Sequence, residues 1–532
     1  MTTLTTVDDD RAAVLSVAED AGRVDEAFRE RFDAQLPALH AALREQGDGL
    51  EQLTRLVVAA SAAWNARPLE LKVRDGQRAA DPDWFQSPRM LAVTCFADRY
   101  AGNLAGVRDQ IGYLRDLGLT LLHLQPLFDA SREENGRPRV DPRIGSTAQL
   151  RDLAADLRTS GIALALDLPP GDDPVADLLF LANLGVDVVR VDAAKMDAAN
   201  VDAASSLPKR RVLRAVAALA APGVLLAGAA GDDGDADLVT DANAALIWEA
   251  LATRDARLLQ RTIDRRPTPP ADATWLTHVR DADALSWTFD DEDTGALGID
   301  PTEHRRFLAR FYTGRFDGSF ARGLSVAGED AGADDGGTDG GDGTAVAGTT
   351  ASLAGIEAGD AAGEDRVVLA HAIALAIGGI PVLYLGDEVA QLNDHSFADD
   401  PERRDDARWV HRGNRPRDQY ARRGDADTAA GRVHRRLTKL ISVRQSTAEF
   451  AGGALTGFRV PLPAVVGFQR IGDDSVVLVL ANVGDEAAEV DALTLSGFER
   501  TAVDLVHGTE IDLDEGVQLA PHGFVWLRVS PV

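Results

Sequence analysis

Cysteine and lysine are nearly absent from this chain of 532 residues. Cys95 is its one cysteine, which excludes a disulfide framework and a cysteine-based zinc site. Four of the 55 basic residues are lysines, and 85 acidic residues leave a formal net charge of -30. Because binding to nucleic acid needs a basic surface that neutralises phosphates, this balance argues against a nucleic-acid partner.

The acidic residues are spread along the whole chain rather than held in one tail. Such a surface is typical of a protein that stays hydrated in strong brine, where salt screens the repulsion between carboxylates. We therefore expect a cytoplasmic protein of a high-salt organism; an ordinary acidic cytoplasmic protein is the alternative. Residues 1–17 lack the basic start and apolar core of a signal peptide, and no apolar run reaches the roughly 18 residues of a membrane span.

Three regions differ in their hydrophobic pattern. Residues 1–88 carry apolar residues at helical spacing and predict an N-terminal helical domain. In residues 89–445, short apolar runs alternate with amphipathic helical stretches, which predicts an α/β fold of the (β/α)8 TIM-barrel type. Residues 446–532 show short alternating strands and predict a C-terminal antiparallel β domain.

The barrel prediction depends on eight apolar runs, each of which we interpret as a parallel strand buried on both sides. They cover residues 90–96, 119–127, 162–168, 186–193, 223–230, 237–241, 274–283 and 380–389. The sixth run has the weakest pattern. A segment rich in Gly and Asp at about 327–348 cannot bury a core, and we predict that it is a disordered acidic insertion.

Candidate catalytic residues follow from the barrel, whose functional side chains lie at the C-terminal ends of the strands. The fourth run ends with Arg190 and Asp192, which are two residues apart and so share one face of a strand. A guanidinium beside a carboxylate keeps the acid ionised, as a nucleophile requires, but the same pair also fits a structural ion pair. The seventh run ends with Asp281 and Asp283, which we predict on one face as further carboxylates of the barrel mouth.

Several longer segments carry a family resemblance. The chain resembles amylosucrase, within the α-amylase superfamily (glycoside hydrolase family 13), in the segments RYAGNLAGVRDQIGYLRDLGLTLLHLQPLF, LLFLANLGVDVVRVDA, RFDGSFARG, GGIPVLYLGDEVAQLND and RRGDADTAAG. The resemblance runs from about residue 85 to the C-terminus. It implies a (β/α)8 barrel with an N-terminal helical and a C-terminal β domain, and action on α-glucosides such as sucrose or α-glucan.

The resemblance also implies roles for individual residues in a retaining mechanism. Asp192, in the Arg190-x-Asp192 motif, matches the nucleophile, and Arg190 belongs to the substrate-binding residues. Asp283 matches the carboxylate that stabilises the transition state, although the histidine before it is replaced by Ala282. Arg423 matches the basic residue that closes the glucose pocket.

The general acid/base of the family is missing. Its glutamate follows the fifth strand, and that position falls on Ala229, which has no proton to donate. The nearest carboxylates in the chain are Asp232 and Asp233. The third strand ends without the family's histidine, residues 126–142 after the second strand contain no tyrosine, and residues 169–184 leave no room for the usual inserted domain.

These losses predict a degenerate, weakly active or inactive member of the family, a pseudoenzyme. Two alternatives stay open: an active α-glucosidase or transglucosidase in which Asp232 or Asp233 substitutes for the acid, and a non-catalytic glucan-binding or scaffold protein. We expect no cofactor and no metal, and an α-glucoside or glucan as the ligand if there is one. We expect no membrane partner, and the sequence leaves the oligomeric state open.

Overall fold

The computed structural model describes residues 6–45, 49–191, 210–229, 236–241, 243–270, 272–326, 345–472 and 475–532. Asp192, Asp232 and Asp233 lie outside these residues, as does most of the predicted acidic insertion. No helix in the described part is long and apolar enough to cross a membrane.

Four helices open the chain: Val7–Ala21, Glu26–Glu45, Leu50–Ala66 and Leu69–Ala80. The first begins at Thr6, whose hydroxyl accepts the Asp9 N–H, and it carries aspartates in its first turn, where they complement the helix dipole. Phe28 and Phe32 of the second helix are fully buried. The second and third helices pack against the barrel helix Arg210–Ala220, so this helical region lies directly on the barrel.

All eight predicted barrel strands are present. They are Ala92–Phe96, Leu121–Gln125, Ala163–Asp167, Val188–Arg190, Leu225–Ala229, Leu238–Thr240, Thr274–His278 and Ile380–Tyr384, called here the first to eighth barrel strands. Each pairs in parallel with the next, and the eighth pairs with the first, so the barrel is closed. The TIM-barrel prediction is therefore confirmed, including the weak sixth strand. The seventh strand ends at His278, five residues before the predicted end.

The interior of the barrel is filled at its N-terminal end. Phe85, Met90, Leu121, Val188 and Leu225 belong to one buried apolar cluster inside the strands. This packing is expected, because side chains fill the interior of an eight-stranded barrel and leave no channel through it. It leaves space for a site only at the C-terminal ends of the strands.

Helices and short strands connect the barrel strands. The helices are Ala97–Ala101, Leu104–Asp109, Ile111–Asp116, Thr147–Thr159, Pro174–Leu184, Arg210–Ala220, Asn243–Thr253, Arg257–Arg265, Asp291–Ala296, Pro301–Tyr312, Thr350–Ala354, Gly363–Ala376, Arg417–Ala421 and Ala429–Gln445. The short strands are Phe128–Arg132, Pro138–Val140, Leu285–Ser286, Leu324–Val326 and Ala345–Ala347. Between the third and fourth barrel strands the chain forms a single helix, Pro174–Leu184, which begins at Asp173.

The end of the predicted insertion is ordered. The predicted C-terminal boundary of the insertion, at about residue 348, is wrong. Ala345–Ala347 is a buried strand that pairs with Leu324–Val326 and with Leu285–Ser286. The apolar sequence Ala-Val-Ala, unlike the Gly/Asp repeat before it, can fill such a buried strand. Residues 327–344 lie outside the described part.

The C-terminal region is an antiparallel β structure, as predicted. Its strands are Ala454–Gly457, Val465–Ile471, Val476–Asn482, Ala488–Val490, Thr501–Asp504, Glu510–Asp512, Val517–Leu519 and Phe524–Val529, with one short helix, Ala492–Leu495. Six of them form one sheet in which Val476–Asn482 is central and buried along its whole length. The alternating pattern predicted the fold of this region because its sheets are antiparallel.

Candidate active site

The barrel mouth encloses a small cavity of about 70 Å³. Side chains two residues apart on a strand share one face, so each inward apolar residue is followed by an inward polar one nearer the C-terminal end. The apolar floor includes Ala92, Leu121, Val188 and Leu276, and the polar wall includes Thr94, His123, Arg190, His278 and Asp281. We call these five polar residues the mouth cluster.

A chain of polar contacts crosses the mouth from the first to the fourth strand. His123 Nε2 lies 2.9 Å from Asp167 Oδ1, and His123 Nδ1 lies 3.2 Å from Thr94 Oγ1. Since a carboxylate can only accept, the ring donates its Nε2–H to Asp167 and accepts the Thr94 hydroxyl at Nδ1. Arg190 Nη1 lies 4.0 Å from the same Asp167 oxygen. Asp167 thus lies between a histidine and an arginine.

Asp281 is the second carboxylate at the cavity. Burial opposes its ionisation, but the attraction of His278 and Arg190 and the backbone N–H of Asp283 outweigh burial and hold the pKa of the Asp281 carboxyl below its ordinary value. The Asp283 N–H donates to Asp281 Oδ1 over 2.8 Å, an Asx turn directly after the strand. Asp281 is therefore an anion near neutral pH.

Asp283, the candidate for transition-state stabilisation, lies outside the residues that line this cavity. Its Oδ1 is 3.1 Å from Arg412 Nη2 and 3.8 Å from Arg408 Nη1, and its side chain is 45% exposed. Asp281 and Asp283 do not share a face as the sequence predicted. The strand ends at His278, so the alternation of strand side chains does not extend to either residue.

The other candidate residues are separated in the structure. Arg190 lies in the mouth cluster, whereas Asp192, the nucleophile candidate beside it, lies outside the described residues. Arg423 is exposed and lies away from the mouth cavity: its Nη1 donates to the Tyr420 carbonyl over 2.6 Å, and its guanidinium lies 5.3 Å from the centroid of the Tyr113 ring. No described contact joins Arg423 to the mouth cluster.

Ala229, where the family resemblance places the general acid, ends a barrel strand. Ala229 is the last residue of the fifth barrel strand, is exposed, and pairs in register with Thr240 of the sixth strand. Alanine has no ionisable group, whereas the family resemblance leads us to expect a glutamate at this strand end. Asp232 and Asp233, the candidates for substitution, lie in the part of the chain that the structure does not describe.

Two acidic residues after the eighth strand have structural partners. Asp387 is buried and accepts from Arg280 Nη2 over 3.0 Å and from the Thr350 hydroxyl. Glu388 is also buried, and the Tyr420 hydroxyl donates to it over 2.7 Å. Their buried contacts make both residues part of the framework that holds the eighth strand in place.

The sequence analysis missed His123, Asp167 and His278. Each ends or nearly ends a correctly predicted strand, and each faces the cavity or contacts a side chain that does. Alternation along the second strand places His123 on the same face as Leu121, so the strand pattern already contained the signal for this residue. Among the described residues, no group of three or more His, Cys, Asp or Glu side chains could hold a metal ion.

One segment of the chain is similar to known proteins. Residues 72–170 match the family model described as the alpha amylase catalytic domain. Maltase A2 of Drosophila melanogaster is 27% identical over 101 residues, which are 17% of this chain and 18% of that protein. Cyclomaltodextrinase of Thermoanaerobacter pseudethanolicus is 28% identical over 105 residues, 18% of this chain and 17% of that protein. The matched segment thus spans less than a fifth of the length of either relative.

Solved structures share the fold over most of the chain. AmyP in complex with maltose superposes with a TM-score of 0.56 at 14% identity, covering 84% of this chain and 97% of that one. A cyclic α-maltosyl-(1→6)-maltose hydrolase of Arthrobacter globiformis gives a TM-score of 0.55 at 14% identity, covering 84% of this chain and all (100%) of the other. The protein thus has a segment similar to the alpha amylase catalytic domain, and it shares its barrel fold with these solved structures.

Proposed function

We propose that this protein is a degenerate relative of the amylosucrases that recognises α-glucosides but cleaves them weakly or not at all. Retaining cleavage needs two carboxyl groups with different protonation: an ionised nucleophile and a neutral acid that protonates the leaving oxygen. The ligand class is taken from the resemblance and from the names of the similar proteins, which include a maltase and a cyclomaltodextrinase.

The observation that carries the proposal is the end of the fifth strand. Ala229 occupies the position of the acid, and the two carboxylates described at the mouth are unsuited to replace it. The pKa of Asp281 is lowered, whereas a general acid requires a raised one. Asp167 is hydrogen-bonded to His123 and lies 4.0 Å from Arg190 Nη1, so neighbouring side chains already engage it.

The size of the mouth cavity supports the same conclusion. An apolar cavity of about 150 Å³ is known to hold a benzene ring. The cavity beneath the mouth cluster measures about 70 Å³. A glucosyl ring is larger than this space, so a substrate would extend beyond these side chains towards the solvent or displace some of them, which would use part of its binding energy.

The loss of the acid has a calculable effect. A positioned general acid contributes about 10²–10⁴-fold to the rate, or about 3–5 kcal/mol of barrier. An α-glucosyl fluoride does not need this help because fluoride leaves without protonation. If the nucleophile is functional, the protein should thus turn over the fluoride measurably but not sucrose or maltose. Asp192 is our candidate for this nucleophile.

The experiment compares these substrates in molar salt. We expect no turnover of sucrose or maltose, and slow hydrolysis of α-glucosyl fluoride that disappears in Asp192→Ala. Asp116→Ala, which changes an exposed aspartate far from the mouth, is the matched control and should hydrolyse the fluoride at the wild-type rate. Sucrose turnover that remains with the protein through purification, and so does not come from a contaminating enzyme, would overturn the proposal.

Three further proposals accompany this one. Composition supports a salt-adapted cytoplasmic protein. The pattern of elements supports a division into residues 1–88, 89–445 and 446–532. The family resemblance supports Asp283 as the carboxylate that stabilises the transition state and Arg423 as a substrate-binding residue; in the structure Asp283 contacts Arg412 and Arg423 donates to the Tyr420 carbonyl.

A further inference from the structure

A groove of about 820 Å³ lies between the N-terminal helical region and one helix of the barrel. Its walls are the third helix, Leu50–Ala66, and the barrel helix Pro174–Leu184, and residues 135–137 between two short strands also line it. We call it the Ala62 groove, after an exposed alanine of the third helix.

The two helices that form the walls carry few charges. The third helix has two charged residues among its 17, Glu51 and Arg55. The barrel helix has one among its 11, Asp177. Charged residues make up 26% of the whole chain, so these walls are depleted of charge. Such depletion distinguishes the core of a protein interface from the rest of a protein surface.

The polar groups inside the groove are already bonded within the chain. Both Asp177 carboxylate oxygens accept from Arg132, each over 2.7 Å. The side-chain amide of Asn183 donates to the Ala63 carbonyl over 2.9 Å. The floor also contains the apolar side chains Leu56, Val175, Leu179 and Phe180. A small polar ligand needs polar groups directed at it, so the groove suits the apolar surface of a protein better.

The charges at the rim have both signs. Exposed Arg55, Arg137 and Arg151 line the groove together with exposed Asp172 and Asp173. The chain has a formal net charge of -30, so an acidic surface elsewhere repels a second copy. A two-fold interface brings one surface against itself and therefore needs both signs of charge on that surface. The rim of the groove meets this condition.

The size and shape of the groove fit a second copy of the chain. About twenty residues line it, and each partner of a protein interface of ordinary size contributes about 20–30. Arg55, Ala59 and Ala62 also line a hollow of about 700 Å³ along the neighbouring face of the third helix. The helix is thus a ridge beside a groove, a shape that can pack against itself.

We propose that the Ala62 groove is the contact surface of a two-fold symmetric dimer. The third helix of each copy packs into the groove of the other copy. The apolar floor supplies the attraction, and the arginines and aspartates of the rim set the orientation of the two copies. This assembly is independent of whether the barrel mouth retains any activity.

The test measures the mass of the full-length protein by sedimentation equilibrium at micromolar concentrations in molar salt. We expect the wild type to sediment at twice the mass of the chain. Ala62→Glu adds a carboxylate inside the contact, so we expect its dimer to have a dissociation constant at least about tenfold higher. Ala296→Glu makes the same change at an exposed alanine that does not line the groove, and it should dimerise like the wild type.

Two results would overturn the proposal. The first is a wild type that remains a monomer over the whole concentration range. The second is a dimer whose dissociation constant is the same in Ala62→Glu as in the wild type, because its contact would then lie elsewhere. Circular dichroism checks that each variant is folded. If Ala62→Glu does not fold, Arg55→Glu at the exposed rim serves instead: it should weaken the dimer severalfold, and an unchanged dimer would again reject the proposal.

Discussion

His123 and Asp167, on neighbouring barrel strands, are joined by a hydrogen bond of 2.9 Å between Nε2 and Oδ1 inside the mouth. Arg190 of the next strand approaches the same carboxylate oxygen to 4.0 Å. These contacts connect three consecutive strands at the place where an α-glucosidase would bind its substrate. The polar side chains of the mouth are thus engaged with one another, which fits a barrel whose mouth serves stability more than catalysis.

The first prediction concerns that hydrogen bond. Asp167→Ala removes the acceptor of His123 and the neighbouring charge of Arg190, so we expect the free energy of unfolding to fall by about 1–3 kcal/mol. Denaturant unfolding in molar salt measures this change. Asp116→Ala, at an exposed position, should change the value by less than about 0.5 kcal/mol. Equal values for the two variants would show that the contact adds nothing to stability.

The second prediction concerns the ion pair between Asp283 and Arg412. Asp283 is partly exposed, so Asp283→Ala should cost at most about 1 kcal/mol. Arg412→Ala should cost more, because Arg412 is buried, donates to the Ala282 carbonyl over 2.8 Å and packs on Trp409. Thermal unfolding of the two variants checks the order. A larger loss in Asp283→Ala would reverse our interpretation of the pair.

The third prediction is a pH dependence. The folded pKa of Asp281 lies below its unfolded value, so the carboxylate stabilises the fold above the ordinary Asp pKa of about 3.9. This contribution disappears as the pH falls through the lower folded pKa. We therefore expect the stability difference between wild type and Asp281→Asn to be constant near neutral pH and to shrink below about pH 4. Urea unfolding from pH 7 to pH 3 measures it, and a difference that grows towards low pH would contradict the assignment.

The fourth prediction concerns salt. With a formal net charge of -30, unscreened carboxylates repel one another when salt is removed. We expect the melting temperature to rise continuously from low salt to molar NaCl. A neutral osmolyte that is not a glucoside, such as glycerol, at equal osmolality is the control and should raise it less. A melting temperature that does not respond to NaCl would reject the salt-adapted interpretation.

The sequence predicted the barrel better than the site. The eight strands can be predicted because each is a short apolar run. A parallel strand that is buried on both faces is expected to have this pattern. The residues of the barrel mouth were harder to predict, because the direction of their side chains depends on where each strand ends. The seventh strand stops at His278, and this early end separates Asp281 from Asp283, although the two residues are close in sequence.

The remaining site residues were missed for a related reason. His123 and Asp167 lie on neighbouring barrel strands. Only the pairing of these strands brings the two side chains within hydrogen-bond distance. Arg99 and Trp409 line one cavity although they are far apart in the sequence, and no local sequence pattern predicts such proximity. By contrast, the proposed loss of the acid at Ala229 rests on the sequence alone, because it depends on one residue type at one position.

The most direct measurement of the central claim is the rate of sucrose cleavage by the wild type and by Asp192→Ala at equal, high protein concentration in molar salt. The account predicts that the wild type cleaves sucrose at most weakly, at least about 10²-fold more slowly than α-glucosyl fluoride, because Ala229 stands where the family resemblance places the acid. Sucrose cleavage by the wild type at a rate close to that of the fluoride, and lost in Asp192→Ala, would contradict it, since that result requires a proton donor in the mouth.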